Sequence, residues 1–255
     1  MARKTALITG ASSGIGETFA RKLTMRGYDL ILVARREDRL QKIAGDLAGA
    51  TALAADLATS EGIAKVETAI ATSESLELLV NNAGFGTIGR FWTANLAGQE
   101  RMLDVHIRAT MRLSHVALRG MVARGRGAVI NVSSVAGFGQ SAGNVSYCAS
   151  KAWINNFSEG LDLELREIGS PVRVQALCPG FTVTEFHETL GMDRSLIPAW
   201  MWMTADAVVE ASLRGLERRR AIVVPGWRYK AAEAVMRHAP AIPKFVGRFR
   251  RDKRV

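Results

Sequence analysis

Short apolar, β-rich runs alternate with longer amphipathic stretches along nearly the whole chain, and this alternation restricts the fold more than any other feature. The runs fall near residues 5–9, 28–34, 50–54, 76–80, 127–132, 172–177 and 221–224. Helical patterns fill the gaps at about 15–26, 37–48, 60–72, 97–124, 147–168 and 204–219. A segment as uniformly apolar as Leu30-Ile31-Leu32-Val33 suits a strand covered on both faces, the condition of a parallel sheet. Parallel neighbours require crossover connections, and these are right-handed. The expectation is therefore α/β: a doubly wound parallel sheet of about seven strands with helices on both faces. No repeat, low-complexity tract or linker divides the 255 residues, so one domain is expected.

The first run, Ala6-Leu7-Ile8, leads straight into Thr9-Gly10-Ala11-Ser12-Ser13-Gly14-Ile15-Gly16, and the amphipathic segment that follows ends at Gly27, a natural helix cap. This is strand, glycine turn, helix, a Rossmann-type opening. The glycines permit a tight turn and let backbone N–H groups approach a pyrophosphate at the positive end of the helix. The spacing, Gly-x3-Gly-x-Gly, differs by one residue from the dinucleotide fingerprint Gly-x-Gly-x2-Gly. A turn of purely structural purpose is the alternative.

A second constellation carries chemistry. Tyr147 and Lys151 are spaced i, i+4, so a helix presents both on one face, and Ser134 stands thirteen residues before the tyrosine. An ammonium beside a phenol favours the phenolate and is expected to lower the tyrosine pKa. A phenol so tuned exchanges protons with an alcohol or ketone near neutral pH.

Together these residues resemble the short-chain dehydrogenase/reductase family. The matching pieces are Thr9 to Gly16, Asp56-Leu57, Asn81-Asn82-Ala83-Gly84, Asn131-Val132-Ser133-Ser134, Tyr147 to Lys151 and Pro179-Gly180, in the family's order across about residues 4–225. The likeness is greatest to the bacterial, NADP-preferring branch that reads Ile-Thr-Gly-Ala-Ser-Ser-Gly-Ile-Gly and Leu-Val-Ala-Arg-Arg. It implies hydride transfer between a nicotinamide and a carbonyl carbon, with Tyr147 as acid and base, Ser134 stabilising the carbonyl oxygen, and Lys151 holding the nicotinamide ribose. It also implies a cofactor site: Thr9, Gly10, Ser12, Ser13, Gly14, Ile15 and Gly16 for the pyrophosphate, Asp56 and Leu57 for the adenine, and Asn82, Ala83 and Gly84 on the adenosine ribose side. Pro179, Gly180, Thr182 and Thr184 come near the nicotinamide carboxamide and phosphates, beside Tyr147 and Lys151. Ala34-Arg35-Arg36 ends the second strand without an acidic residue, so Arg35 and Arg36 are expected to take the 2′-phosphate of NADP. One position departs from the pattern. His106 stands where most members carry an asparagine that distorts its helix and positions a relay water; a neutral imidazole can hold that water or pass a proton itself, or it is a packing substitution, or the relay is lost and activity with it.

Residues 1–227 are read as the catalytic domain, with a substrate lid at about 185–203, and 228–255 as a basic tail. The lid's Trp200, Trp202 and methionines, together with Phe85, Phe91, Trp92 and Phe138, favour a bulky apolar ketone, a steroid-like alcohol or a ketoacyl chain. The net charge is +10. Nine basic and two acidic residues from Arg228 to Val255 place much of it in the tail. There Ile242, Phe245, Val246 and Phe249 suit a short amphipathic helix that docks on the lid or a neighbouring subunit or lies weakly on an anionic membrane, with a disordered tail as the third alternative. No nucleic-acid motif accompanies this charge, no metal ligand set is seen, and Cys148 and Cys178 read as packing residues of a cytoplasmic protein. The helices around 99–124 and 147–169 are those through which relatives form homodimers or homotetramers. A non-catalytic dinucleotide-binding or interaction protein on the same fold is the alternative function.

Overall fold

A computed structural model describes residues 3–186, 195 and 197–238. Seven parallel strands form one sheet in the order β3-β2-β1-β4-β5-β6-β9. They are β1 (Thr5–Thr9), β2 (Asp29–Ala34), β3 (Ala50–Ala54), β4 (Leu76–Asn81), β5 (Ala128–Val132), β6 (Arg173–Leu177) and β9 (Ile222–Val223). A separate parallel pair joins β7 (Thr182–Val183) to β8 (Met203–Thr204). The strand order reverses between β1 and β4, the switch point at which open α/β sheets bind ligands. Register carries the point through: Ile8 pairs with Val80, Asn81 with Asn131 and Val132 with Leu177, so four strands end together.

Helices cover both faces. On one, α1 (Gly14–Met25), α2 (Glu37–Asp46) and α7 (Ala205–Glu217) bury Phe19, Leu23, Leu40, Val208, Val209 and Leu213 against Ile8, Leu32 and Ile130. On the other, α3 (Ser60–Thr72), α5 (Thr110–Arg124) and α6 (Val145–Glu167) bury Ile63, Val66, Leu113, Met121 and Leu165 against Leu7, Leu79 and Val129. Each fully buried side chain of this size contributes about 1.5–3 kcal/mol. Helix starts follow the sequence: Thr59 accepts from Gly62 N, and Thr204 caps α7 by accepting from Ala207 N. Gly27 follows α1 at φ +80°, the left-handed geometry a capping glycine supplies.

The long helix expected at 97–124 is interrupted. It begins as α4 (Leu96–Leu103), passes through a π-helical segment, Asp104–Ala109, and resumes as α5. A π segment widens the helix locally and re-aims its side chains, and this one contains His106.

Helical structure continues beyond residue 227. Residues 228–238, read from the sequence as tail, belong to α8 (Trp227–His238). Tyr229, 8% exposed, anchors that helix by donating its hydroxyl to Met201 O (2.6 Å) and accepting from Phe181 N (3.0 Å). With one buried anchor and no apolar stripe, α8 leaves no helical periodicity to read. Part of the expected lid (187–194 and 196) and the proposed amphipathic segment around Ile242 to Phe249 lie outside the described residues.

Candidate active site

The glycine turn packs against the end of β4. A Cβ at Gly16 would run into Gly10 O and lie 2.5 Å from Asn82 Nδ2, so close backbone approach demands glycine there. Thr9 and Asn82 act inside this frame. Thr9 Oγ1 accepts from Asn82 N (2.9 Å) and Ala83 N (3.0 Å), and Asn82 Nδ2 donates back to Thr9 O (2.9 Å). Ile15 packs on the core, and Thr184 lies against Gly14, so β7's exit and the start of α1 border one cradle. The α1 N–H groups open into that cradle with the positive end of the helix dipole, a donor set that fits a pyrophosphate.

Arginines border the same cradle. Arg36 Nη2 donates to Ser12 Oγ (3.0 Å) and Ser13 Oγ (3.1 Å), and its Nη1 donates to the Glu185 carboxylate (3.1 Å). Arg39, which the sequence reading missed, donates to both Glu185 oxygens (2.8 and 2.9 Å). It stands three residues past Arg36 on the same helical face, the spacing that betrays it. Arg35 is exposed and, among the described residues, makes no hydrogen bond or ion pair. The fork that holds the Glu185 carboxylate is thus Arg36 with Arg39, and Arg35 stands outside it. Asp56 accepts from Ala58 N (3.0 Å) and pairs with Arg101 of α4, and Leu57 is buried in the core.

Ser134 lies two residues past the end of β5 and accepts from Ala136 N (3.1 Å), which shapes the turn that follows. Its hydroxyl also faces Tyr147, where its hydrogen bonding favours the phenolate. Lys151 is 5% exposed; its Nζ donates to Val132 O (2.9 Å) and stands 5.7 Å from the centre of the Tyr147 ring. Burial pushes the lysine down to about 8 and the phenol up to about 12. The lowered phenol pKa expected from the sequence is thus absent in this geometry. The ammonium is held by a carbonyl rather than by the phenol, and desolvation outweighs the help from Ser134. Pro179 O accepts from Val135 N (3.0 Å). Gly180 is required by Tyr229, whose ring occupies the space a Cβ would need.

His106 is 1% exposed and both its nitrogens are engaged. Nε2 accepts from Phe85 N (3.3 Å), so the proton resides on Nδ1, which donates to Ser150 Oγ (2.9 Å). Ser150 in turn donates to Tyr147 O (2.8 Å). Burial, reinforced by Lys151, holds the imidazole well below its usual pKa and therefore neutral. Gly84 is the close neighbour: a Cβ there would lie 2.7 Å from Nε2.

Of the expected apolar residues, Phe85 packs on His106 (6.3 Å between centroids), while Phe186, not singled out before, packs on Tyr147 (6.1 Å). Trp92 and Trp200 are exposed (77% and 59%), and Phe138 lies under Arg237. A cleft of about 640 Å³ between α7 and α8 is lined by Arg214, Arg218, Val223 and Trp227 and is separate from the tyrosine. Among the described residues no cluster suits a metal ion, and no helix is long and apolar enough to cross a membrane.

The arrangement has recognisable counterparts. The sequence model of a family described as short chain dehydrogenase matches residues 4–195. An uncharacterized oxidoreductase of Myxococcus xanthus is 34% identical over 236 residues, 89% of each chain. Oxidoreductase UcpA of Salmonella typhimurium is 35% identical over 196 residues, 73% of this chain and 72% of its own. Among solved structures, a short-chain dehydrogenase from Sphingobium yanoikuyae in complex with NADPH superposes with a TM-score of 0.83 at 34% identity, covering 99% of this chain and 98% of that one. A bulky-bulky ketone specific alcohol dehydrogenase from Comamonas testosteroni gives 0.79 at 30% identity, covering 99% and 97%.

Proposed function

Since this chain belongs to the short-chain dehydrogenase family, we propose that it is an NADPH-dependent reductase interconverting a bulky apolar ketone or ketoacyl group and its secondary alcohol. The observation that carries this reading is the convergence of Ser134, Tyr147 and Lys151 beside a cradle whose arginine fork already grips an oxyanion, the Glu185 carboxylate. That carboxylate stands in for the 2′-phosphate and supports NADPH as the cofactor. The NADPH-bound and bulky-ketone neighbours point the same way. When bound, the nicotinamide supplies or accepts the hydride.

The chain's own residues supply the rest. In the reductive direction Ser134 donates a hydrogen bond to the carbonyl oxygen as negative charge develops, and Tyr147 delivers its proton to the same atom. Oxidation reverses both steps. Lys151, with a pKa of about 8, carries an exchangeable proton near neutral pH and a positive charge beside the phenol. His106 acts as a neutral tether rather than a relay: it ties the loop after β4 to α6 through Ser150 and so fixes where Tyr147 stands. Phe85 and Phe186 give the reacting centre apolar walls. Exposed Met111 on α5 and Leu163 on α6 suit pairing of two chains through those helices. A screen of NADPH oxidation over ketones, steroids and ketoacyl thioesters tests the assignment; no turnover with any of them leaves the non-catalytic reading in its place.

A further inference from the structure

Glu185 occupies a position that its chemistry makes consequential. Its carboxylate accepts from Arg39 through both oxygens and from Arg36 through one, and Arg36 reaches Ser12 and Ser13 in the glycine turn at the same time. The two arginines lower the Glu185 pKa, so the group in the fork is the ionised form. All three side chains are nearly half exposed (44–47%), which leaves the fork open to a ligand from solvent. A phosphate monoester carries about −1.5 to −2 charges at neutral pH and seeks the same planar donors. Two anions sharing one fork repel each other, so only one holds it at a time.

Building on the NADPH reading, we infer that Glu185 is an internal competitor for the 2′-phosphate. NADP(H) must displace this carboxylate to reach Arg36 and Arg39, whereas NAD(H), with a 2′-hydroxyl, leaves it in place. Glu185 therefore sets the degree of cofactor discrimination, lowering affinity for the phosphorylated cofactor while keeping the arginines engaged when the site is free. The sign is opposite to that of a residue that merely pre-orders the arginines, since loss of such a residue would weaken phosphate binding.

Calorimetry with adenosine 2′,5′-bisphosphate and adenosine 5′-monophosphate isolates this half of the site from the chemistry. Glu185→Gln keeps the size of the side chain and removes its charge, and Glu185→Ala removes the remaining acceptor. Both are expected to tighten the bisphosphate by about three- to tenfold, the scale of partly exposed ion pairs, and to leave the monophosphate within about twofold. Unchanged or weakened bisphosphate binding in both variants overturns the inference. Arg36→Ala and Arg39→Ala test the underlying reading separately. If neither lowers the preference for the bisphosphate over the monophosphate, the 2′-phosphate does not bind at this fork, whatever the glutamate variants do.

Discussion

Lys151 should make the protein less stable than it need be, and the size of that penalty follows from its surroundings. Burial lowers its pKa from 10.5 to about 8, a difference worth about 3 kcal/mol. Because the folded value is the lower one, the unfolded chain binds more protons between about pH 8 and pH 10.5, and stability rises with pH across that window. Below it the penalty is complete; above it the penalty is gone. Lys151→Met keeps the length and removes the charge, but it also deprives Val132 O of its donor, at about 1–3 kcal/mol. At neutral pH the variant should therefore range from equally stable to about 2 kcal/mol more stable, while losing turnover. The sharper quantity is the pH dependence. Between pH 7 and about pH 9.5 the wild type should gain about 2 kcal/mol on the variant. Urea unfolding followed by tryptophan fluorescence measures both proteins under identical conditions, with five tryptophans as reporters. A stability difference constant to within about 0.5 kcal/mol over that range would refute the buried, depressed lysine.

Other expectations are independent of this one. Arg36→Ala with Arg39→Ala should weaken NADPH by tenfold or more, about 1.4 kcal/mol, with little change for NADH in calorimetry; equal losses for both cofactors would remove the phosphate fork. His106→Asn and Ser150→Ala should each lower kcat about tenfold, and the double variant should cost little more than either alone, because both break one tether. If His106 instead relays protons, the His106 variant should shift the alkaline limb of the pH profile and Ser150→Ala should not. Gly180→Ala should cost about 1–3 kcal/mol in urea unfolding by driving a methyl into the Tyr229 ring, and wild-type stability would contradict that packing. Sedimentation at micromolar concentration should show a dimer or tetramer, and a monomer alone would exclude pairing through α5 and α6.

The central strands were legible because they are buried on both faces: the run read at 5–9 is Thr5–Thr9, and that read at 76–80 is Leu76–Asn81. What local pattern does not encode was harder. The π segment around His106 lies inside an unbroken helical periodicity, so the sequence shows a residue out of place but not the backbone that carries it. The Arg39–Glu185 pair joins residues 146 positions apart, and nothing local announces it. The same limit applies to the phenol. An i, i+4 lysine does bring a charge to Tyr147, yet whether charge or desolvation wins depends on the Val132 carbonyl that claims the ammonium. Ser134 shows a double use that spacing alone cannot separate, since one hydroxyl shapes the turn after β5 and faces Tyr147.

The proposed role of Tyr147 as the proton donor to a carbonyl reduced by NADPH is addressed directly by one paired measurement. For a bulky ketone that the wild type reduces, Tyr147→Phe should lower kcat by about 10² or more, the scale of general acid–base catalysis. Its NADPH affinity, measured by calorimetry on the same preparation, should stay within about threefold. Turnover near the wild-type rate in that variant would contradict the central claim.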